Sequence, residues 1–483
     1  MRDSAMSLPA WCLGVLVVAL GFFAGCAVGP DYKRPQVNAP PAFRGEQPNG
    51  TNSFADLPWW EIFHDETLQG LIRTALTNNY DLRVAFTRIT QAQAVTAETR
   101  AALFPQLNYS GLAGVGKNVA PGGSSPFPTG GTNARLYELY GTAAWEIDVF
   151  GRVRRMTESA RAQYFATQEA RRDVITSLIA QVAQDYFQLL TLDRELAIAQ
   201  DETNAYAGSY KIFSQRLQQG AASKLETSSA EALFNSAAAT IPDLQRQIAQ
   251  QENLISVLLG ENPRAVPHDG SQLDNQFPPD VPAGLPASLL QRRADIREAE
   301  QQLRSANAQV GVAKANFFPE LSLTGLFGHV SPELATFTSG RAAAWGAAAN
   351  LTGPIFQGGR LRAQYRQALA ARDQYALQYQ STVLNAFQEV SSALIAREKL
   401  AEARVLHARA VEAYKEAVRI VNQRYTLGQS SYYEVLQEEQ LLYPEENLLV
   451  QTEFNQLSAI VQLYRALGGG WQAVEQANRS KKN

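Results

Sequence analysis

The stretch Ala101-Ala-Leu-Phe-Pro-Gln-Leu-Asn-Tyr-Ser-Gly-Leu-Ala-Gly114 returns in the second half of the chain as Ala315-Asn-Phe-Phe-Pro-Glu-Leu-Ser-Leu-Thr-Gly-Leu-Phe-Gly328. Pro105 falls on Pro319, Gly111 on Gly325 and Gly114 on Gly328. Upstream, in the same register, Asp81-Leu-Arg83 falls on Asp295-Ile-Arg297. Downstream, after a small change of spacing, Arg216-Leu-Gln-Gln-Gly-Ala-Ala-Ser223 falls on Arg424-Tyr-Thr-Leu-Gly-Gln-Ser-Ser431, and Leu259-Gly260 on Leu467-Gly468. Alanine-rich helices can mimic one another by chance, but not with aligned proline and glycine punctuation. The chain is an internal duplication, and that decides its architecture before any local reading.

Each unit reads helix, strand, loop, strand, long helix, turn, helix. Thr67 to Leu103 has a helical apolar period and is stopped by Pro105. From Val153 to Gln219 there is no proline and one glycine, Gly208, so the pattern predicts a helix of roughly 100 Å at about 1.5 Å per residue. Its apolar residues Ile175, Ile179, Val182, Tyr186 and Leu189, like Val383, Phe387, Val390 and Leu394 in the second unit, keep the spacing of a coiled-coil seam. Between the helices, Gln106 to Gly116 and Leu136 to Phe150 read as strands around a Gly/Pro/Ser/Thr-rich exposed loop, Asn118 to Asn133. Glu320 to His329 and Ala342 to Leu351 repeat the arrangement around a shorter loop. Strands of about 9 to 11 residues with aromatics near their ends suit a membrane barrel; hairpins packed on the helices are the soluble alternative.

Two hairpins give four strands, and a closed barrel needs about eight or more. A spanning sheet with open edges strands backbone groups in hydrocarbon at several kcal/mol each. Copies must therefore share one barrel, and the physics leaves two, three or four copies open.

The sequence carries 43 basic and 46 acidic residues, interspersed, which leaves no basic footprint for nucleic acid. Its two cysteines, Cys12 and Cys26, precede the folded body, so that body offers no thiol for a disulfide, zinc site or nucleophile. His64, His268, His329 and His407 are scattered singly and read as isolated surface histidines, with no metal set. Glu146 and Asp148 lie two apart on a strand and share one face, which is a weak basis for paired-carboxylate catalysis.

Arg2, the apolar run Trp11-Cys-Leu-Gly-Val-Leu-Val-Val-Ala-Leu-Gly-Phe-Phe23 and the small residues before Cys26 form an export signal. Phe23-Ala24-Gly25-Cys26 has the form of a lipoprotein signal box, with Phe23 in place of the usual leucine, which makes Cys26 the acylated first residue of the mature chain. The expected organisation is a signal peptide (1–25), a lipidated extended N-terminal segment (26–66), a first structural repeat (67–262), a linker (263–287), a second structural repeat (288–470) and a C-terminal tail (471–483).

Over essentially the whole mature chain the residues resemble the TolC/OprM-like outer-membrane efflux proteins, particularly their lipoprotein branch. Cys26-Ala-Val-Gly-Pro-Asp-Tyr-Lys-Arg-Pro35 is similar to the mature start of those lipoproteins, and Trp59-Trp60-Glu-Ile-Phe63 with Leu68 and Leu71 to the approach to their first helix. Gly284-Leu-Pro-Ala-Ser-Leu-Leu-Gln-Arg-Arg293 with Asp295-Ile296 resembles their mid-chain signature, Ala294 standing where proline is usual. Trp145-Glu-Ile-Asp-Val-Phe-Gly-Arg152 and Pro354-Ile-Phe-Gln-Gly-Gly-Arg360 resemble their two strand-to-helix junctions. The resemblance implies an α+β membrane protein: a homotrimer whose four β-strands per protomer complete a shared 12-stranded β-barrel in the outer membrane, above a long α-helical coiled-coil barrel in the periplasm. Val28 is not the aspartate that signals inner-membrane retention in lipoproteins of this type, and the resemblance implies the outer membrane, with its lipid around the barrel, a covalent lipid on Cys26 and no other cofactor. Its implied partners are a periplasmic membrane-fusion adaptor and an inner-membrane pump, commonly of the proton-driven resistance-nodulation-division type, and the duct itself performs no chemistry.

Gly220 and Gly428 centre two helix-turn-helix tips, where glycine permits the positive φ that closes a helix. By resemblance these tips form the periplasmic entrance, with Gly220, Ser223, Gly428 and Ser431 as docking points for the adaptor. Glu226 and Glu434 follow at equivalent positions, and copies around an axis would set each in a ring of like charge, held by pairing with Arg216 or Arg424. A carboxylate favoured near a helix N-terminus accounts equally well for each. Gln437 stands where a second tip aspartate is known in the family, which puts a double acidic ring in doubt, and Pro444 interrupts the last helical pattern and is expected to bend it or mark a local irregularity. The other readings of the chain are a type I secretion duct for proteins and a non-pore structural envelope lipoprotein.

Overall fold

A computed structural model describes residues 27–45, 53–117, 133–270, 273, 276, 277, 286–472, 474 and 475. The signal peptide, Cys26 and the loop between the first two strands lie outside the described residues. Each repeat has two short helices, a hairpin, a long helix and a shorter one. The first holds α1 (Glu66–Asn78), α2 (Tyr80–Ala101), β1 (Gln106–Lys117), β2 (Asn133–Ile147), α3 (Arg152–Gln218) and α4 (Lys224–Leu258). The second holds α5 (Pro286–Arg292), α6 (Ala294–Ala315), β3 (Glu320–Ser331), β4 (Ala343–Thr352), α7 (Arg360–Thr426) and α8 (Tyr432–Ala466). The long helices both have 67 residues and the helices after them both have 35.

The single helix expected over Thr67 to Leu103 is two helices. Asn79 leaves the helical region at φ −55° and ψ 131°. Its Oδ1 accepts the Leu82 N–H at 3.0 Å and so caps α2, while its Nδ2 donates to the Leu258 carbonyl at the end of α4 at 2.9 Å. Arg293 occupies the same place between α5 and α6, and its Nη1 donates to the carbonyl of Ala466, the last residue of α8, at 3.0 Å. A hydrophobic pattern does not register such a break, because the apolar face continues through it. Asp65 caps α1 by accepting from Thr67 N at 2.7 Å and Leu68 N at 3.1 Å, and α1 buries Leu68, Leu71, Ile72 and Ala75, one stripe at three-four spacing. Pro444, and also Pro242, stand inside helices that continue without interruption.

The four strands form one antiparallel sheet in the order β1-β2-β3-β4. Strand ends differ slightly from expectation: β2 stops at Ile147 because the Val149 N–H turns back to the Ile147 carbonyl at 2.8 Å. The register places Tyr109, Gly141, Phe327 and Trp345 in one cross-strand row. Tyr109 is 89% exposed and Trp345 80%, large apolar groups on an open face that a water-facing hairpin would not carry. Among the described residues no helix is long and apolar enough to cross a membrane.

By contacts the chain divides into two compact units that cut across the repeats. Unit 1 is residues 1–36, 88–167 and 298–379 and contains the sheet. Within it Phe150 stacks on Phe318 with centroids 4.7 Å apart, Ser159 Oγ meets Ser305 Oγ at 2.9 Å, and the N-terminal segment runs extended, Arg155 pairing with Asp31 at 2.9 Å. Unit 2 is residues 37–87, 168–297 and 380–483. Its core holds every residue of the two expected seams, Ile175 to Leu189 on α3 and Val383 to Leu394 on α7; burying each such side chain stabilises the unit by about 1.5–3 kcal/mol.

Candidate functional site

The two helix-turn-helix tips lie within unit 2 and are built by the same backbone device. At the first, Gly220 has φ 69°; its N–H bonds the Leu217 carbonyl at 3.0 Å and the Ala221 N–H bonds the Arg216 carbonyl at 2.7 Å. At the second, Gly428 has φ 68°, with Gly428 N to Tyr425 O at 3.0 Å and Gln429 N to Arg424 O at 2.9 Å. Each is a Schellman closure that satisfies the carbonyls orphaned at a helix end, and a side chain other than glycine is strained at that φ.

The following helices start with reciprocal caps. Ser223 Oγ accepts the Glu226 N–H at 3.2 Å, and Glu226 Oε2 accepts the Ser223 N–H at 2.7 Å. Glu434 Oε1 accepts the Ser431 N–H at 3.1 Å, and its Oε2 takes a bond from Ser430 Oγ at 3.2 Å. Both carboxyls are held below the ordinary glutamate range, first by the backbone N–H of Ser223 or Ser431 and then by the serine hydroxyls. Within the protomer, then, Glu226 and Glu434 serve their helix N-termini. The arginines act on them only through their charge, as the smallest of the lowering influences, and hydrogen-bond elsewhere: Arg216 Nη2 donates to the Tyr425 hydroxyl at 2.9 Å and its guanidinium lies 5.8 Å from that ring's centroid, and Arg424 Nη2 reaches the Gln429 carbonyl at 3.5 Å.

Three residues at this site escaped the sequence reading. Tyr425 packs edge-on against Tyr432 at 4.9 Å, and Tyr432 against Phe213 at 5.3 Å while its hydroxyl meets Ser209 Oγ. Deeper, Glu439 on α8 is only 7% exposed, and its Oε2 has no hydrogen-bond partner among the described residues. Burial pushes its carboxyl up to about 7. Around it stand the phenols of Tyr432, Tyr443 and, from α3, Tyr206, whose ring meets Tyr443 at 6.2 Å; Glu202 on α3 is raised by burial as well. The signal available in sequence was divergence inside the repeat, since Tyr425 and Tyr432 replace Leu217 and Lys224. At the turn surface Leu225 is 77% exposed and its counterpart Tyr433 73%, an apolar pair that helix periodicity does not single out.

The remaining candidates have structural partners. Glu146 pairs with Arg152, and Asp148 accepts from Arg154 N at 2.8 Å, so both members of the carboxylate pair brace the β2–α3 junction. The histidines are less isolated than expected: His407 Nδ1 meets Glu445 at 2.6 Å, and His268 Nδ1 meets the Val266 carbonyl at 2.6 Å while Nε2 lies 3.3 Å from Asp193. His64 and His268 line one cavity of about 530 Å³ with Glu66, Tyr186 and Asp269. Among the described residues no group of three or more metal-ligating side chains converges.

The sequence model of the outer membrane efflux protein family matches residues 71–261 and 285–469. The chain is 34% identical over 471 residues to the probable efflux pump outer membrane protein TtgC of Pseudomonas putida, covering 96% of this chain and 97% of that one. It is 32% identical over 458 residues to the probable outer membrane lipoprotein SilC of Salmonella typhimurium, covering 93% and 96%. Among solved structures, the open state of the Neisseria gonorrhoeae MtrE outer membrane channel superposes with a TM-score of 0.82 at 32% identity, covering 92% of this chain and 99% of that chain.

Proposed function

The chain belongs to the outer membrane efflux protein family, and from that premise we propose that it is the outer-membrane duct of a tripartite efflux system, passing small molecules such as drugs and toxic compounds from pump and periplasm to the exterior. It resides in the outer membrane, and its fold is the family's: four strands from each of three copies complete a twelve-stranded barrel joined to a coiled-coil barrel of long helices. The observation that carries the reading is the duplicated hairpin, a four-stranded sheet with an apolar exposed face and two open edges, which is finished only by other copies.

The finer points rest on this chain's residues. The duct acts as a passive conduit: Glu146 and Asp148, the pair that could be read as catalytic, are engaged with Arg152 and Arg154 at a strand-to-helix junction. Cys26 carries the lipid, in keeping with the similarity to a named lipoprotein. A periplasmic adaptor docks on the tips at Gly220, Ser223, Gly428 and Ser431, helped by the exposed Leu225 and Tyr433, and an inner-membrane pump of the resistance-nodulation-division type delivers substrate. Glu226 and Glu434 line the entrance, with Arg216 and Arg424 one turn away.

The test is single-channel conductance of the membrane-extracted protein in planar bilayers, with its mass in mild detergent. A conducting trimer of acylated chains is expected. A non-conducting monomer would overturn the reading in favour of a structural envelope lipoprotein.

A further inference from the structure

Within unit 1, α2 and α3 touch where Thr96 Oγ1 donates to the Ala160 carbonyl at 3.2 Å. On one side of that contact the two helices part and leave a groove of about 940 Å³. Ala97, Phe104, Tyr164 and Phe165 give it an apolar wall, and Arg100 and Arg161 are the only charged residues among those described that line it. Both arginines are exposed, Phe104 is 58% exposed, and the Arg161 guanidinium lies 5.5 Å from the centroid of the Phe165 ring. The nearby carboxylates are directed elsewhere: Glu158 pairs with Arg155 at 2.8 Å, and Glu98 stands about 200° round α2 from Arg100.

The same face is covered in the second repeat. Gln93 and Ala97 of α2 correspond to Asn307 and Gly311 of α6, in the register that sets Pro105 on Pro319. There the extended N-terminal segment lies on the helix: Asn307 Nδ2 donates to the Pro30 carbonyl at 2.9 Å, and Gly29 packs directly on Gly311. Asn307 and Gly311 are buried in consequence, whereas Gln93 and Ala97 are exposed. The paired arginines are also particular to the first repeat. Leu369 stands in place of Arg161, and Arg372, which stands in place of Tyr164, is bound to Asp373 at 2.7 Å. The duplicated face thus accommodates an elongated partner, and the one segment of this chain seen to fill it is already used on α6.

We propose that the groove on α2 binds a glycerophospholipid of the membrane, with its phosphate between Arg100 and Arg161 and an acyl chain along Phe104 and Tyr164. Only Pro105 separates Phe104 from Gln106, the first residue of β1, so the groove opens where the membrane-spanning sheet begins. Guanidinium forks match phosphate oxygens bidentately. With no carboxylate in the lining, an anionic headgroup is favoured over one that carries its own ammonium. The proposal takes from the duct reading only the outer-membrane location.

The test is native mass spectrometry of the full-length protein, extracted in mild detergent and titrated with phosphatidylglycerol or with phosphatidylcholine of the same chains. The parent is expected to hold phosphatidylglycerol about tenfold more tightly, as one charge-assisted hydrogen bond supplies. Arg100→Gln with Arg161→Gln should bring it down to the phosphatidylcholine level, with trimer mass and conductance as in the parent. Ala97→Trp, which fills the groove and keeps both charges, should weaken both lipids, and millimolar inorganic phosphate should displace neither. Equal binding of phosphatidylglycerol by the parent and either variant overturns the proposal, and displacement by inorganic phosphate overturns it in favour of a free-anion site; both leave the duct reading standing. A non-conducting monomer that still tells the two lipids apart through these arginines overturns the duct reading and leaves the lipid site.

Discussion

At the first tip Arg216 crosses to Tyr425 of the second, whereas at the second tip Arg424 reaches only the Gln429 carbonyl of its own turn. The backbones around these arginines are near copies, with the same positive-φ glycine, the same pair of closing hydrogen bonds and the same serine–glutamate cap. The duplication has kept the parts that a helix end requires whatever surrounds it. Divergence has gone into the side chains that cross between elements, where Tyr425 and Tyr432 stand in place of Leu217 and Lys224. Even an unchanged residue is put to different use: Glu231 and Glu439 are counterparts, yet Glu231 is half-exposed and Glu439 is buried.

That last contrast gives the largest expected effect. Glu439 is raised to about 7 by burial, so its neutral form is the one the packed tip favours. An acid raised on packing adds no penalty below the unfolded glutamate range, about 4.3. The penalty grows as pH climbs from there to about 7 and is constant above it. As far as Glu439 is concerned the packed tip is therefore firmest below about pH 4, and between pH 5 and pH 7 and above it loses on the order of 2 kcal/mol. Thermal melting of the trimer across this range should show the slope in the parent protein, a clearly shallower one with Glu439→Gln, the remainder coming from Glu202 and the other carboxyls raised by burial, and an unchanged slope with Glu231→Gln. A parent profile that is already flat would remove Glu439 as the difference between the two halves.

Arg216 comes next. Removing its bond to Tyr425 with Arg216→Ala or Tyr425→Phe should raise single-channel conductance about threefold, in line with a hydrogen bond to a charged group at an exposed site. Arg424→Ala should change it by less than half as much. Equal effects would mean that both arginines act through contacts between copies and that the Tyr425 contact is incidental.

The legibility of these features in sequence follows the same division. The repeat, the strands and the glycine turns were readable because proline and glycine act on the backbone directly, and the seams on α3 and α7 because apolar period reports burial. The break at Asn79 was hidden because the residue that makes it leaves the apolar stripe intact and is held by a carbonyl distant in sequence, that of Leu258. Glu226 and Glu434 stand out in sequence by following the glycine turns, but sequence leaves the cap and the charged ring as equal readings, and only the serine N–H bonds show the capping role within the protomer. Tyr425 and Glu439 were missed because a cross-element contact leaves no periodic trace in one sequence.

The smallest effect separates the two caps. Ser223→Ala removes the hydroxyl that accepts the Glu226 N–H and donates to the Glu226 carboxylate, leaving that carboxylate only the backbone N–H at residue 223. Hydrogen exchange of the first-turn amides of α4 should then quicken about fivefold, the usual consequence of losing an N-cap. Ser431→Ala leaves Ser430 Oγ still bonded to Glu434 Oε2, so the carboxylate stays oriented over the N-terminus of α8 and continues to favour it through the helix dipole. Exchange in the first turn of α8 should quicken only about twofold, and the double change Ser430→Ala with Ser431→Ala should restore the larger figure. If Ser431→Ala alone already matches Ser223→Ala, the second serine contributes nothing, and the two tips are held alike except for Tyr425.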